Sequence, residues 1–270
     1  MSRGKLRAIK RKIQATTSLM KITKAMEMVA RARIKKLEEG FRQAKNYIEG
    51  VEKVYRQIDF QFCNHPFVVG SGKKILVAIG SDMGLCGAFN AEMASQVEKV
   101  LNDYDGLITV GAKLGAHFSG SSKLIKAYQR MYEIPTFSFA SLLTEELITL
   151  GGNVDVLYVK FINKLVQKPH LLKLTPLKTE GKVNRYEYEP MSEELAASFA
   201  KFYVVSKLFY LLYETKLSEM YSRQNAMRNA TENAKEMIRK LTLEYNKARQ
   251  ASITQELIEI VTGAEALKEE

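Results

Sequence analysis

With 270 residues, 46% of them hydrophobic, the chain can bury one large or two modest cores and is no disordered tail. Its two cysteines, Cys63 and Cys86, lie apart without CxxC spacing, so neither a disulfide framework nor a zinc site is indicated and a reducing, cytosol-facing compartment fits best. The formal charge of +11 resides wholly in residues 1–57, where 16 Lys or Arg stand against 5 Glu; such a basic stretch suits nucleic acid, an anionic lipid surface or an acidic protein.

The opening residues are basic but lack a following apolar block and a small-residue cleavage site, so they are read as part of the fold and not as a signal peptide. No Gly or Pro interrupts Lys5 to Glu39, Gly40 and Gly50 are isolated, and the first proline is Pro66, which predicts one long helix. Ile34, Leu37, Phe41, Ala44, Ile48, Val51, Tyr55 and Ile58 follow steps of three and four as a heptad seam. Leu19, Ile22, Met26 and Val29 make another such run, out of phase by one residue near positions 30–34, and this predicts a bend or altered pitch.

The periodicity then changes. Apolar, β-rich runs at Lys74–Gly80, Leu107–Gly111 and Val154–Ile162 alternate with helical patterns at Asn90–Asn102 and Ser141–Leu150, the order of an α/β layer with a mainly parallel sheet. Further on, the apolar run Phe202 to Tyr213 is too short to span a membrane, and no transmembrane helix is expected.

Between Pro190 and Gly263 there is again no Gly or Pro, over seventy residues that would make a helix of about 105 Å at ~1.5 Å per residue, with Ser192 as a plausible N-cap. Met227, Ala230, Ala234, Met237 and Leu241 form one heptad run, and Ile253, Leu257, Ile260, Ala264 and Leu267 a second. Ala226, Ala230 and Ala234 form a stripe of small residues that would let a partner backbone approach closely. A helix of this length with a polar face is unstable alone and must pair. The matching partner is the N-terminal helix, so the fold class is α/β plus a long antiparallel coiled coil, with segments 1–60, 61–190 and 191–270 as N-terminal helix, α/β domain and C-terminal helix.

Signals for chemistry are weak. The glycine-rich connection Gly80 to Asn90 (GSDMGLCGAFN) could in principle cradle phosphate, but it lacks both GxGxxG spacing and a GK[ST] ending, and tight strand-to-helix turning explains it better. His65, His117 and His170 are scattered, and Cys86 reads as a small buried thiol. Arg31, Arg33, Lys35 and Lys36 precede a heptad seam as in a basic zipper, but an antiparallel partner within the chain removes the need for a dimer on DNA. A nucleotide-binding enzyme and a nucleic-acid binder are therefore the weaker readings, and no catalytic residue, cofactor or metal site is expected.

Three stretches, KITKAMEMVA at Lys21–Ala30, SDMGLCGAFN at Ser81–Asn90 and YNKARQASITQELIEIVTGA at Tyr245–Ala264, resemble the gamma subunits of F-type ATP synthases in content and order. The resemblance implies an antiparallel coiled-coil shaft with a Rossmann-like α/β domain inserted between its helices. It also implies a non-catalytic rotor in the hole of the alpha–beta hexamer, with the epsilon subunit and the membrane c-ring as further partners. Neither nucleic-acid binding nor direct membrane insertion is implied, and the setting would be the cytoplasmic face of a bacterial membrane.

By the same resemblance, Arg249 and Gln250, with Thr254 and Glu256 on the neighbouring turn, would meet a loop of beta. Met26, with Arg223 near it on the opposite helix, would face beta's acidic lever, and Tyr186, Tyr188 and Glu189 would form the foot on the ring. Met83 and Ala88 stand where the family commonly has Arg and Gly, and the charged tail AEALKEE departs from the usual apolar ending. No cysteine-bearing insert of the chloroplast type precedes the last helix, so thiol regulation of that kind is not expected.

Overall fold

The computed structural model describes residues 2–61, 63–70, 72–179 and 192–266. Helix α1 runs over Ser2–Tyr55 and helix α6 over Ser192–Ala266, as the absence of breakers requires. Between them come α2 (Pro66–Val69), β1 (Lys74–Ile79), α3 (Phe89–Val100), β2 (Gly106–Val110), α4 (Ala112–His117), β3 (Leu124–Tyr128), α5 (Phe137–Leu150), β4 (Asn153–Phe161) and β5 (Gln167–Lys173). The chain divides into two compact units, one joining the stretch up to Val29 with the stretch from Ala226 on, the other running from Ala30 to Asn225. Both long helices are shared between units, so this division follows packing and not the changes of sequence character near residues 60 and 190.

In the larger unit five strands lie in the order β3-β2-β1-β4-β5, parallel except for the antiparallel β4–β5 pair. One face is covered by α3 and α4, where Leu76, Ala78, Leu107 and Leu157 pack on Met93, Val97 and Leu114. The other is covered by α5, α6 and the end of α1, where Val77, Ile108 and Val156 meet Leu143, Leu147, Leu208 and Leu211. Residues such as Leu208 and Leu211, 1% exposed or less, each contribute ~2 kcal/mol of burial. The parallel core strands read as continuous apolar runs because both faces are buried. Strands β3 and β5 and helices α2 and α4 were not foreseen: β3 and β5 are the two edge strands and mix polar with apolar residues, and α2 and α4 are single short elements.

By length and composition α6 is apolar enough to cross a membrane, which reading Phe202–Tyr213 alone did not register. Within this unit its apolar side is used for packing: Ala196, Ala200, Val204, Leu208 and Leu212 are fully buried in the core against the sheet. Farther along, α6 buries polar residues for a definite reason. Strand β4 continues past its pairing with β1, and Thr215 accepts from the Val159 N–H (3.4 Å), Ser218 donates to the Val159 carbonyl (3.1 Å) and Glu214 accepts from the Phe161 N–H (3.1 Å). Gly40 of α1 has no side chain because a Cβ there would lie 2.7 Å from the Tyr213 ring.

In the smaller unit α1 and α6 pair antiparallel. The Thr23 and Thr231 hydroxyls meet at 2.9 Å, and the Thr16 hydroxyl lies 3.9 Å from the Met237 sulfur. On α6 the buried or half-buried positions include Met227, Thr231, Ala234, Ile238, Leu241, Tyr245, Ala248 and Ser252, again in steps of four and three, with Ala226 and Ala230 half-buried beside them. Along α1, Ile9, Thr16, Thr23, Ala30, Leu37, Ala44 and Val51 are all buried and recur every seven residues.

The expected change of phase near residues 30–34 is therefore absent. Leu19, Ile22 and Val29 are more than half exposed, and the seam is filled by Met20, Thr23 and Ala30. Apolarity misled because the true seam takes small and polar residues that hydrogen-bond across it, whereas the apolar run lies outside. Thr231 likewise sits in the seam where Ala230 was expected, and Met237 is exposed. Continuing the register places the start of α1 opposite Ser252, so Ile253, Leu257 and Ile260 have no stretch of α1 to cover them and are about half exposed or more.

Candidate functional site

In the smaller unit the residues expected to touch a partner share one end of α6. Arg249, Gln250, Thr254 and Glu256 are all exposed; the Thr254 hydroxyl donates to the Gln250 carbonyl (3.0 Å), and Ser252 reaches Glu256 at 3.5 Å. They are flanked by exposed Ile253, Leu257, Ile258, Ile260 and Val261, so this stretch of α6 presents polar groups beside an apolar strip. Met26 is half-buried on α1, beside the exposed stripe of Leu19, Ile22 and Val29. That stripe was legible as a run of apolar residues and was misassigned to the seam.

Arg223, expected to face a partner beside Met26, belongs to the larger unit and is turned inward among groups of its own chain. At 6% exposure, its guanidinium lies 2.7 Å from Glu219 and donates to the carbonyls of Met83 (3.2 Å) and Gly84 (3.3 Å). Ser222 donates to the Cys86 carbonyl (2.7 Å), and Lys216 pairs with the second oxygen of Glu219 at 3.0 Å. The reason is local: the loop after β1 turns through Leu85 and Gly87, both at φ 62°, which directs carbonyls toward α6, and a buried carbonyl requires a donor. Glu219, Ser222 and Lys216 were missed; their spacing around Arg223 on one helix face was the available signal.

The same loop is held from its other side. Asp82 accepts from the N–H groups of Ala112 and Arg130, both at 2.8 Å, and the Tyr132 hydroxyl donates to the Gly80 carbonyl. Gly111, at φ 105°, passes so close that a Cβ would lie 2.9 Å from the Gly80–Ser81 backbone. The glycine-rich connection is thus a clamp between sheet and α6, with its carbonyls already used.

Cys86 is buried, and loss of hydration pushes its thiol up; the cost of burying a thiolate outweighs the pull of nearby Arg223. His65 caps α2 by accepting from the Phe67 N–H (3.2 Å), and partial burial, aided by Lys201, lowers its imidazole. His117 pairs with Glu98 at 2.7 Å, and His170 packs edge-on against Tyr158. Among the described residues no three His, Cys, Asp or Glu side chains converge to hold a metal ion. Tyr186, Tyr188 and Glu189 lie outside the described residues.

The smaller unit is an antiparallel pair of long helices and the larger a clamped, five-stranded α/β layer, the class of a coiled-coil protein with a Rossmann-like layer. A family model described as ATP synthase matches residues 5–267. The ATP synthase gamma chain of Halothermothrix orenii is 37% identical over 97% of this chain and 99% of its own length. A chain of the central stalk and c-ring structure of the Tetrahymena thermophila mitochondrial ATP synthase matches with TM-score 0.62 and 28% identity, covering 77% of this chain and 99% of its own. A chain of the Euglena gracilis mitochondrial ATP synthase, from the OSCP/F1/c-ring structure in rotational state 3, matches with TM-score 0.73 and 22% identity over 98% of this chain and 95% of its own, a likeness of fold. The chain belongs to the ATP synthase gamma-chain family.

Proposed function

We propose that this chain is the central rotor stalk of an F-type ATP synthase, a non-catalytic subunit that couples ion translocation through the membrane c-ring to ATP synthesis or hydrolysis at the alpha–beta hexamer. The observation that carries the proposal is the near full-length gamma-chain match together with the antiparallel pairing of α1 and α6 through Thr23–Thr231 and Thr16–Met237. Transmitting torque needs stiffness, and two helices locked side by side resist bending better than one. The c-ring drives the stalk, whose uneven surface presents a different contact to each beta subunit in turn and so changes its nucleotide affinity.

Arg249, Gln250, Thr254 and Glu256 touch beta from the exposed end of α6, and Met26 faces beta's acidic lever. The basic residues of α1 suit acidic partners through water-exposed contacts, each worth ~1 kcal/mol or less, which lets a rotor pass several stators without settling at one. Tyr186, Tyr188 and Glu189 form the foot that meets the c-ring, beside the epsilon subunit. The complex is membrane-associated, and the chain is peripheral on the cytoplasmic face of a bacterial membrane.

The experiment is co-expression with the alpha and beta subunits, followed by purification of the assembly and a hydrolysis assay. One copy of this chain per hexamer is expected, with Arg249→Ala/Gln250→Ala lowering turnover at unchanged assembly. A stable free homodimer that ignores alpha and beta would overturn the reading.

A further inference from the structure

Within the larger unit, helix α6 is fixed to the α/β layer in two different ways. From Ala196 to Leu212 the side chains it buries against the sheet are apolar, namely Ala196, Ala200, Val204, Leu208 and Leu212, and Lys201 meets Glu145 of α5 in a water-exposed ion pair. From Glu214 to Asn225 the same helix is bonded to the layer. Glu214 accepts from the Phe161 N–H (3.1 Å), Thr215 accepts from the Val159 N–H (3.4 Å) and Ser218 donates to the Val159 carbonyl (3.1 Å). Ser222 donates to the Cys86 carbonyl (2.7 Å), Arg223 to the carbonyls of Met83 (3.2 Å) and Gly84 (3.3 Å), and the Asn225 amide to the Lys164 carbonyl (2.9 Å).

These side chains occupy about three turns of helix, ~16 Å of its length. They reach three separate stretches of the layer: the end of β4, the loop after β1 and the turn after β4. On the layer side every partner atom is main chain. The difference matters under load. Apolar burial has no preferred direction, and packed helices slide past one another by small shifts of their side chains. A hydrogen bond tolerates little displacement before it is lost, and a buried main-chain N–H or carbonyl that loses its partner finds no water to replace it. Nor does a main-chain atom held in a sheet or a clamped loop follow a moving helix by changing rotamer.

We propose that Glu214, Thr215, Ser218, Ser222, Arg223 and Asn225 form a register lock, a set of positioning residues that stop α6 from sliding or turning against the α/β layer when torque is applied. The inference rests on the rotor reading and adds to it the part of the chain that carries the load. The residues act through the position of the helix and touch neither nucleotide nor partner. The apolar stretch before them supplies cohesion, and the bonded stretch supplies registration.

The test uses the complete complex containing this chain, reconstituted in vesicles, with ATP hydrolysis and a membrane-potential dye read together. Loss of one net hydrogen bond favours a displaced register roughly fivefold. Thr215→Val/Ser218→Ala is therefore expected to lower the ratio of ion pumping to hydrolysis at least about twofold, with hydrolysis itself within about twofold of the parent. Ser222→Ala, closer to the surface, is expected to lower the ratio by a smaller factor and carries the same test should the double variant not fold. Thr215→Ser keeps the hydroxyl and is expected to hold the parent ratio. Val204→Ala trims the apolar stretch and lowers the urea midpoint, and its ratio is expected to stay at the parent value. An unchanged ratio without the hydroxyls, or an equal fall in Val204→Ala, overturns the lock and leaves the rotor reading intact. A parent complex that excludes this chain, or that hydrolyses ATP without pumping, overturns the rotor reading and the lock with it.

Discussion

Arg223 is the residue whose neighbours most constrain the larger unit. Replacing it by Ala strips Glu219 of its closer cation and leaves the Met83 and Gly84 carbonyls without their donor, so Arg223→Ala is expected to cost about 3 kcal/mol in urea unfolding. A loss under about 0.5 kcal/mol, the level of an ordinary surface change, would refute the clamp. Glu214 permits a second check. Burial raises its carboxyl above the usual range, although the Phe161 N–H it binds favours the charged form. The folded state therefore holds that proton more tightly than the unfolded chain does. The associated stability is fully present below the unfolded carboxylate value of ~4.3 and is lost as pH rises through the folded value. Glu214→Gln keeps an acceptor without the charge, so its stability relative to the parent should improve as pH rises from about 4.3 through the raised folded value. A pH-independent difference in urea midpoint between the two proteins would show that this carboxyl is not perturbed.

At the scale of elements, the seam of α1 and α6 in the smaller unit is held by small and polar residues where a longer apolar seam was expected. Thr23 and Thr231 each also lie near a carbonyl of their own helix, Met20 at 3.0 Å and Met227 at 2.8 Å. Thr23→Val or Thr231→Val alone is expected to cost ~1 kcal/mol by leaving one hydroxyl without its partner, while the double variant returns close to the parent. Additive losses in thermal unfolding would mean the two hydroxyls act separately. The α/β layer was legible as an alternation of strands and helices because its central strands are buried on both faces. The β5 edge was not, since QKPHLLK carries no run of β-rich apolar residues and owes its pairing to β4 across a short turn.

For the whole chain, the end of α6 separates stability from function. Ile253, Leu257, Ile258, Ile260 and Val261 are exposed, so among the described residues the stretch after Ser252 buries little apolar surface that its removal would take away. The shortened chain is expected to unfold within about 0.5 kcal/mol of the parent, yet to assemble less well with the alpha and beta subunits. A large drop in melting temperature would show that these residues are packed within the chain. Equal assembly would remove them from the partner surface.

Sequence alone determined the two long helices, their need to pair and the parallel α/β layer between them, because breaker-free stretches and apolar periodicity act locally and are written in neighbouring residues. Arg249, Gln250, Thr254 and Glu256 all come from the third family motif, and they lie exposed on α6. Tertiary structure alone decided that Thr23 and not Ile22 enters the seam, that Arg223 turns inward to the Met83 and Gly84 carbonyls, and that α6 runs on past the start of α1. Each of those outcomes depends on the shape, length or unmet hydrogen bonds of a segment far away in the chain, and no window along one helix carries that information.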